Sequence, residues 1–223
     1  MKKILFCLTL TIAVSASAQN YKSQSKNTIE VNVNLQTGSS PISFDAPNLR
    51  YRRFIKDNLA VRTLVAVSTF SNTDQIQSGS PEYYGTSTQT NWNFNLGLGI
   101  EKHLLTTEKL DPYLGGQLMF ATGGGSFSGS NTINGFTYLS GGEFQNSISG
   151  GFGMGLMAVL GADYYFAQNL YLGTEISFGY TYQFNGYQQN WNNLSQTTTE
   201  TKLSTTHGLG IAINPGVRIG IRF

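Results

Sequence analysis

The chain is poor in several residue types at once. It has 223 residues, with one cysteine, two histidines and five prolines. Only 12% of residues are charged, against about 25% in ordinary soluble domains. Each shortage excludes something. Cys7 lies inside an N-terminal apolar run that is expected to be removed, which leaves no disulfide framework, thiol nucleophile or Cys-based metal site. His103 and His207 are too far apart to suggest a His metal site. Past the N-terminal run, no apolar stretch reaches about 18 residues, so no transmembrane helix is predicted. No basic patch points to nucleic acid. Gly123-Gly-Gly-Ser-Phe-Ser-Gly129 is not a phosphate loop, because no Lys follows and no helical pattern begins. Neither a cofactor nor a metal is expected.

The N-terminus reads as a secretory signal peptide over residues 1–18. Met1-Lys2-Lys3 is a positive segment, Ile4 to Val14 is mostly apolar, and Ala16-Ser17-Ala18 is a small-residue cleavage site. Removing Lys2 and Lys3 lowers the basic count from 14 to 12, equal to the 12 acidic residues. The formal charge of +2 thus belongs to the leader. A short segment, 19–27, is expected to precede a single domain at 28–223.

Twenty-six glycines and 13% aromatics accompany the low charge. The C-terminus shows how they are used. Val217, Ile219, Ile221 and Phe223 alternate with Gly216, Arg218, Gly220 and Arg222. This is a strand with one apolar face, ending on an aromatic residue. Seven more alternating segments precede it. The eight are Thr28–Gln36, Pro47–Ile55, Leu59–Ser71, Asn91–Lys102, Pro112–Thr122, Ser147–Tyr165, Asn169–Phe184 and Thr201–Phe223. In the fourth, Trp92, Phe94, Leu96, Leu98 and Ile100 oppose Asn93, Asn95, Gly97, Gly99 and Glu101. Arg53 breaks the parity of the second, which a bulge or a snorkelling side chain would accommodate.

The connections alternate in length. Lys56–Asn58, His103–Asp111 and Phe166–Gln168 are short; Gly38–Ala46, Asn72–Thr90, Gly123–Asn146 and Asn185–Glu200 are long. Short turns on one rim and long loops on the other are the pattern of bacterial outer-membrane barrels. An even strand number closes the sheet and removes its edges. A soluble barrel would turn the apolar face inward. Aromatic girdles argue for the reverse: Trp92, Phe94, Phe178, Tyr180 and Tyr182 toward the long loops, Tyr164 and Phe223 toward the short turns. The expected fold is therefore an all-β, eight-stranded antiparallel up-and-down transmembrane barrel, in the outer membrane with both termini periplasmic.

With these features the chain resembles the small outer-membrane β-barrel proteins of the OmpA-transmembrane-domain, OmpX and OmpW kind. It is most similar to the porin-like barrel domain common in Bacteroidetes. The resemblance spans the whole mature chain; its specific part is the series Val217, Ile219, Ile221 and Phe223. In the family that series is the signal read by the barrel-assembly machinery, which is the partner the resemblance implies during biogenesis. Because the sequence stops at Phe223, the peptidoglycan-binding domain of full-length OmpA proteins is expected to be absent.

The inward positions carry Arg50, Arg52, Arg62, Arg218 and Arg222 with Glu30, Glu101, Asp163 and Glu175. Charges enclosed in so narrow a barrel must be paired or wetted. One reading is a salt-bridged plug that rigidifies the interior; the other is a narrow polar pore for small solutes or hydrophobic ligands. Inward glycines suit both. No enzyme activity is expected: His207 has outward parity and no oriented acid, and His103 is expected to be a solvated turn residue. The long loops, rich in Asn, Ser and Thr with scattered Tyr and Trp, are ordinary solvated loops or a surface for an extracellular ligand. The remaining expected partner is the lipid of the outer membrane.

Overall fold

A computed structural model of the chain describes residues 25–33, 48–78, 83–104, 107, 109–132 and 134–223. The expected signal peptide with Ala16 and Ala18, and the expected loop Gly38–Ala46, lie outside them.

Ten strands follow in order: β1 Asn27–Val33, β2 Asn48–Lys56, β3 Leu59–Ser78, β4 Tyr83–His103, β5 Leu110–Thr132, β6 Tyr138–Tyr165, β7 Leu170–Phe184, β8 Tyr187–Asn192, β9 Thr197–Lys202 and β10 Thr205–Arg222. Every pairing is antiparallel. β1 to β7 pair in succession, β7 pairs with β10, and β10 returns to β1. The ring thus closes through eight strands, which pairs the edges of the sheet with each other at the level of β1 and β2. No helix among the described residues is long and apolar enough to cross a membrane.

The side-chain period of two sorts the wall. Leu49, Tyr51, Val61, Leu98, Ile100, Leu114, Leu118, Leu156, Leu160, Ile176 and Ile219 are all exposed, on the outside of the ring. The buried positions between them are largely polar or charged. This inverts a soluble fold and gives a wall suited to lipid. Trp92, Phe94, Phe178, Tyr180 and Tyr182 are exposed at one level, and Phe166 and Phe223 near the short turns.

Several expectations are corrected. The barrel itself has the expected eight strands; the described residues add two more outside it, because the stretch 185–200 holds most of a hairpin, β8–β9, which pairs with β6 beyond the ring. The closing strand accordingly starts at Thr205, not Thr201. The stretches 72–90 and 123–146 are mainly strand, since β3–β4 and β5–β6 run on as long hairpins. The asymmetry of the rims is thus one of strand length more than of loop length. Alternation could not reveal these extensions. Where both faces meet water, the pattern carries no apolar side, and hydroxyl pairs across strands help hold the ladder, such as Thr73–Thr88 at 2.9 Å and Thr86–Ser130 at 2.9 Å.

Arg53 needs no bulge. It points outward in regular register with Asn27 and Val61, and the irregularity of β2 falls between Phe54 and Lys56. A second irregularity, between Asn214 and Arg218 of β10, brackets Pro215, whose missing N–H cannot serve the ladder. The shift there is by two residues against β7, so inward and outward parity survive it.

Candidate functional site

The short-turn half of the barrel interior is filled by charge. Strand parity turns Glu30 of β1, Arg50 and Arg52 of β2, Arg62 of β3, Glu101 of β4, Asp163 of β6, Glu175 of β7, and Arg218 and Arg222 of β10 inward, and all nine are buried. Each lies within a few residues of a short turn or of the paired terminal strands, so the ring gathers them at one level.

Their contacts form a network. Glu175 is its hub: it accepts two hydrogen bonds from Arg50 (2.9 and 3.1 Å), two from Arg62 (2.9 and 3.0 Å) and one from the Tyr113 hydroxyl (2.7 Å). Arg52 donates to Glu101 (3.1 Å), Asp163 (2.7 Å), Thr28 (3.1 Å) and the Tyr171 hydroxyl (2.8 Å). Its Nε also lies 2.6 Å from Glu30, close but not aligned as a hydrogen bond. Arg62 donates to Glu101 at 2.7 Å. Arg218 donates to Glu30, to Tyr113 (2.6 Å), to Asp163 (3.3 Å) and to the Thr174 carbonyl (3.0 Å). Arg222 differs. Among the described residues it meets no carboxylate; its guanidinium lies 4.3 Å from the centre of the Phe54 ring and donates to the Ser25 carbonyl (2.6 Å). Charge-assisted, multidentate contacts of this kind are the strong ones in a desolvated interior.

Register explains how so much side chain fits. Arg52 stands directly opposite Arg62, and Glu101 bridges the two. Elsewhere a large group faces a glycine: Tyr113 faces Gly161, Tyr171 and Glu30 both face Gly220, Asp163 and Arg218 both face Gly173, and Arg62 faces Gly99. A Cβ on Gly161 would run into the Tyr113 hydroxyl, and one on Gly220 into the Tyr171 ring. These glycines are the space the network occupies.

Several members were not legible in the sequence. Tyr113 and Tyr171 are fully buried; Tyr113 donates to Glu175 and accepts from Arg218, and Tyr171 accepts from Arg52. Inward parity was their one available signal. Asp111 begins β5 rather than ending a turn, and is buried. His103 corrects an expectation: it is not solvated but buried, 2.8 Å from Asp111 and 3.6 Å from Glu101, between the rings of Phe54 and Tyr113. It is the last residue of β4, where the inward parity of Glu101 continues. His207 is exposed on the outer face, 6.3 Å from the Tyr180 ring centre. Val217, Ile219 and Ile221 pair with Val33, Val31 and Ile29 of β1, and Phe223 exchanges backbone hydrogen bonds with Asn27 (2.9 and 3.1 Å). No group of three His, Cys, Asp or Glu among the described residues is placed to hold a metal ion.

The interior is closed where the charges sit. Among the described residues five arginines and five carboxylates, counting Asp111, are buried there. The cavity at that level, against Glu30, Asn32, Asn48, Arg50 and Arg218, is about 10 Å³, room for a single water. Toward the long hairpins the lumen opens into a cavity of about 760 Å³.

A closed antiparallel ring with an apolar wall and a charged interior defines a membrane β-barrel of the outer-membrane type. Residues 51–223 match the Putative OmpA-OmpF-like porin family, and the chain belongs to it. The protein is an outer-membrane, porin-like β-barrel with a salt-bridged interior. No curated protein matches the chain. Solved structures with similar chain paths include CarO2 of Acinetobacter baumannii (9% identity, 89% of this chain and 97% of that one, TM-score 0.40). A major outer membrane protein of Thermus thermophilus is also similar (14%, 90% and 100%, TM-score 0.44), as is the outer membrane protein W of E. coli (15%, 89% and 98%, TM-score 0.37). At these TM-scores the barrel rests on the chain's own strand pairing.

Proposed function

We propose that this protein is a non-conducting envelope barrel that anchors its long hairpins at the cell surface, with no catalytic role. The plug carries the reading: buried arginines and carboxylates hydrogen-bond across the lumen, and the cavity against Glu30, Arg50 and Arg218 is about 10 Å³, so an ion would have to open the network. Opening it would strand several buried charges at once, each costing several kcal/mol (roughly 3–5 for a broken buried pair). The short-turn rim, with the paired β1 and β10 ends, faces the periplasm, and the β3–β4, β5–β6 and β8–β9 hairpins face outward. That assignment follows the usual placing of short turns and long loops. Val217, Ile219, Ile221 and Phe223 serve the assembly machinery, and the polar hairpins offer the surface for an extracellular partner.

Planar-bilayer recording on the refolded protein tests this. A folded, heat-modifiable barrel that gives no ion steps is the expected result, and reproducible steps in the native protein would overturn it.

A further inference from the structure

Above the plug, β4, β5, β6 and β7, with Asn185, Leu203 and Ser204, line the cavity of about 760 Å³, a size within the roughly 300–1,000 Å³ range of small-ligand sites. Its chemistry is narrow. None of its lining residues carries a charge. Asn91, Asn93 and Asn95 project inward in succession along β4, and Thr181 and Gln183 from β7. The rest of the wall is six glycines, a few hydroxyl and amide residues, and apolar residues that include Met119, Ala121, Ile148, Phe152 and Leu203. Two residues before Met119 along β5, Gln117 is buried beside Gly97 and Met119, and its side-chain carbonyl oxygen has no hydrogen-bond partner. Beneath the cavity floor the five buried arginines of the plug are matched in number by five buried carboxylates among the described residues.

Carboxamides both donate and accept, and match hydroxyl groups that do the same. A charged ligand would leave water for a site without a counter-charge, and an apolar one would bury the amides unpaired. We propose that this vestibule is a binding site for a neutral polyhydroxylated solute, a saccharide, held as in a cup because the floor is closed. The closed floor is the part that rests on the plugged reading; the site itself does not need it.

The methionines provide a probe. Met119 lines the cavity near its floor; Met154 also borders the cavity, but its side chain is exposed with the outward parity of Leu156, so its methyl group reports the lipid face. The protein would be labelled at the methionine methyl groups and refolded in a zwitterionic, non-glycosidic detergent. It would then be titrated by NMR with maltose, lactose and N-acetylglucosamine, and with glucuronate and glucosamine as charged controls. The expected result is a saturable shift of Met119 but not Met154 with at least one neutral sugar, and about tenfold weaker binding of both charged sugars, one lost contact in free-energy terms. Gly208 and Gly210 supply the blocking variants. They share the inward face of β10 opposite Thr181 and Gly179, and a Cβ at either would meet nothing within 4 Å. Gly210→Trp should keep the fold, checked by heat-modifiable gel migration, and abolish the Met119 response. Failure of all three neutral sugars to saturate would overturn the proposal. So would an undiminished response in folded Gly210→Trp, or equal binding of the charged sugars. Wild-type conductance would sink the plugged reading alone, since a saccharide could then still shift Met119.

Discussion

The two halves of the interior share strands β4 to β7 and the same glycine-rich alternation, yet one is solid and the other hollow. In the short-turn half each glycine faces a large polar partner: Gly161 faces Tyr113, Gly220 faces Tyr171, Gly173 faces Arg218. In the hairpin half glycines face small groups or one another: Gly123 faces Gly151, Gly208 faces Thr181, Gly210 faces Gly179. The residue type is constant and its effect reverses. Below, glycine creates room that a neighbour fills; above, a Cβ on Gly208 or Gly210 would meet nothing within 4 Å, and a cavity lies beside β7. Filling is thus a property of cross-strand register and not of composition.

Four changes would break or sharpen this contrast. The largest effect should come from Glu175→Ala, which leaves Arg50, Arg62 and Tyr113 without their shared acceptor. A loss of about 3–5 kcal/mol is expected in denaturant unfolding of the refolded barrel. Ion steps should appear in bilayer recordings of whatever fraction folds. Next is Gly220→Val, which drives a branched side chain into the buried Tyr171 ring. The expected cost is about 1–3 kcal/mol by the same measurement. Tyr113→Phe removes one hydroxyl that donates to Glu175 and accepts from Arg218, at about 1–3 kcal/mol, with no change in conductance. The smallest effect belongs to Gly210→Val. The same chemical change as at Gly220 here enters open space and should stay within about 0.5 kcal/mol of wild type. Equal costs for the two glycine substitutions would remove the distinction between the halves.

Parity was the legible part of this protein. Ile29 against Glu30, Leu49 against Arg50 and Ile219 against Arg218 announce which side chains enter the ring and which face lipid. A period of two is a local property, visible in any five residues. The outward hydrophobic row then implies closure, because lipid cannot satisfy a sheet edge. The hairpin extensions were not legible. Thr, Ser, Gln and Asn on both faces look like loop, and only a partner strand at the right distance makes them ladder. Pairings within the plug were hidden for the same reason. Glu101 and Arg52 are 49 positions apart, and Glu175 and Arg50 are 125 apart. Nothing local distinguishes one inward arginine from another.

The sequence by itself determined an alternating chain with an apolar outside, a charged and glycine-rich inside, and aromatic residues at two levels. Hydrophobicity and strand periodicity suffice for that, since each acts within one strand. Only the tertiary structure decided that Glu175 would hold two arginines and a tyrosine, that His103 would be buried, and that the upper lumen would stay empty. Those outcomes depend on how far each strand is displaced against its neighbour. The ring fixes that displacement all at once, because it must close.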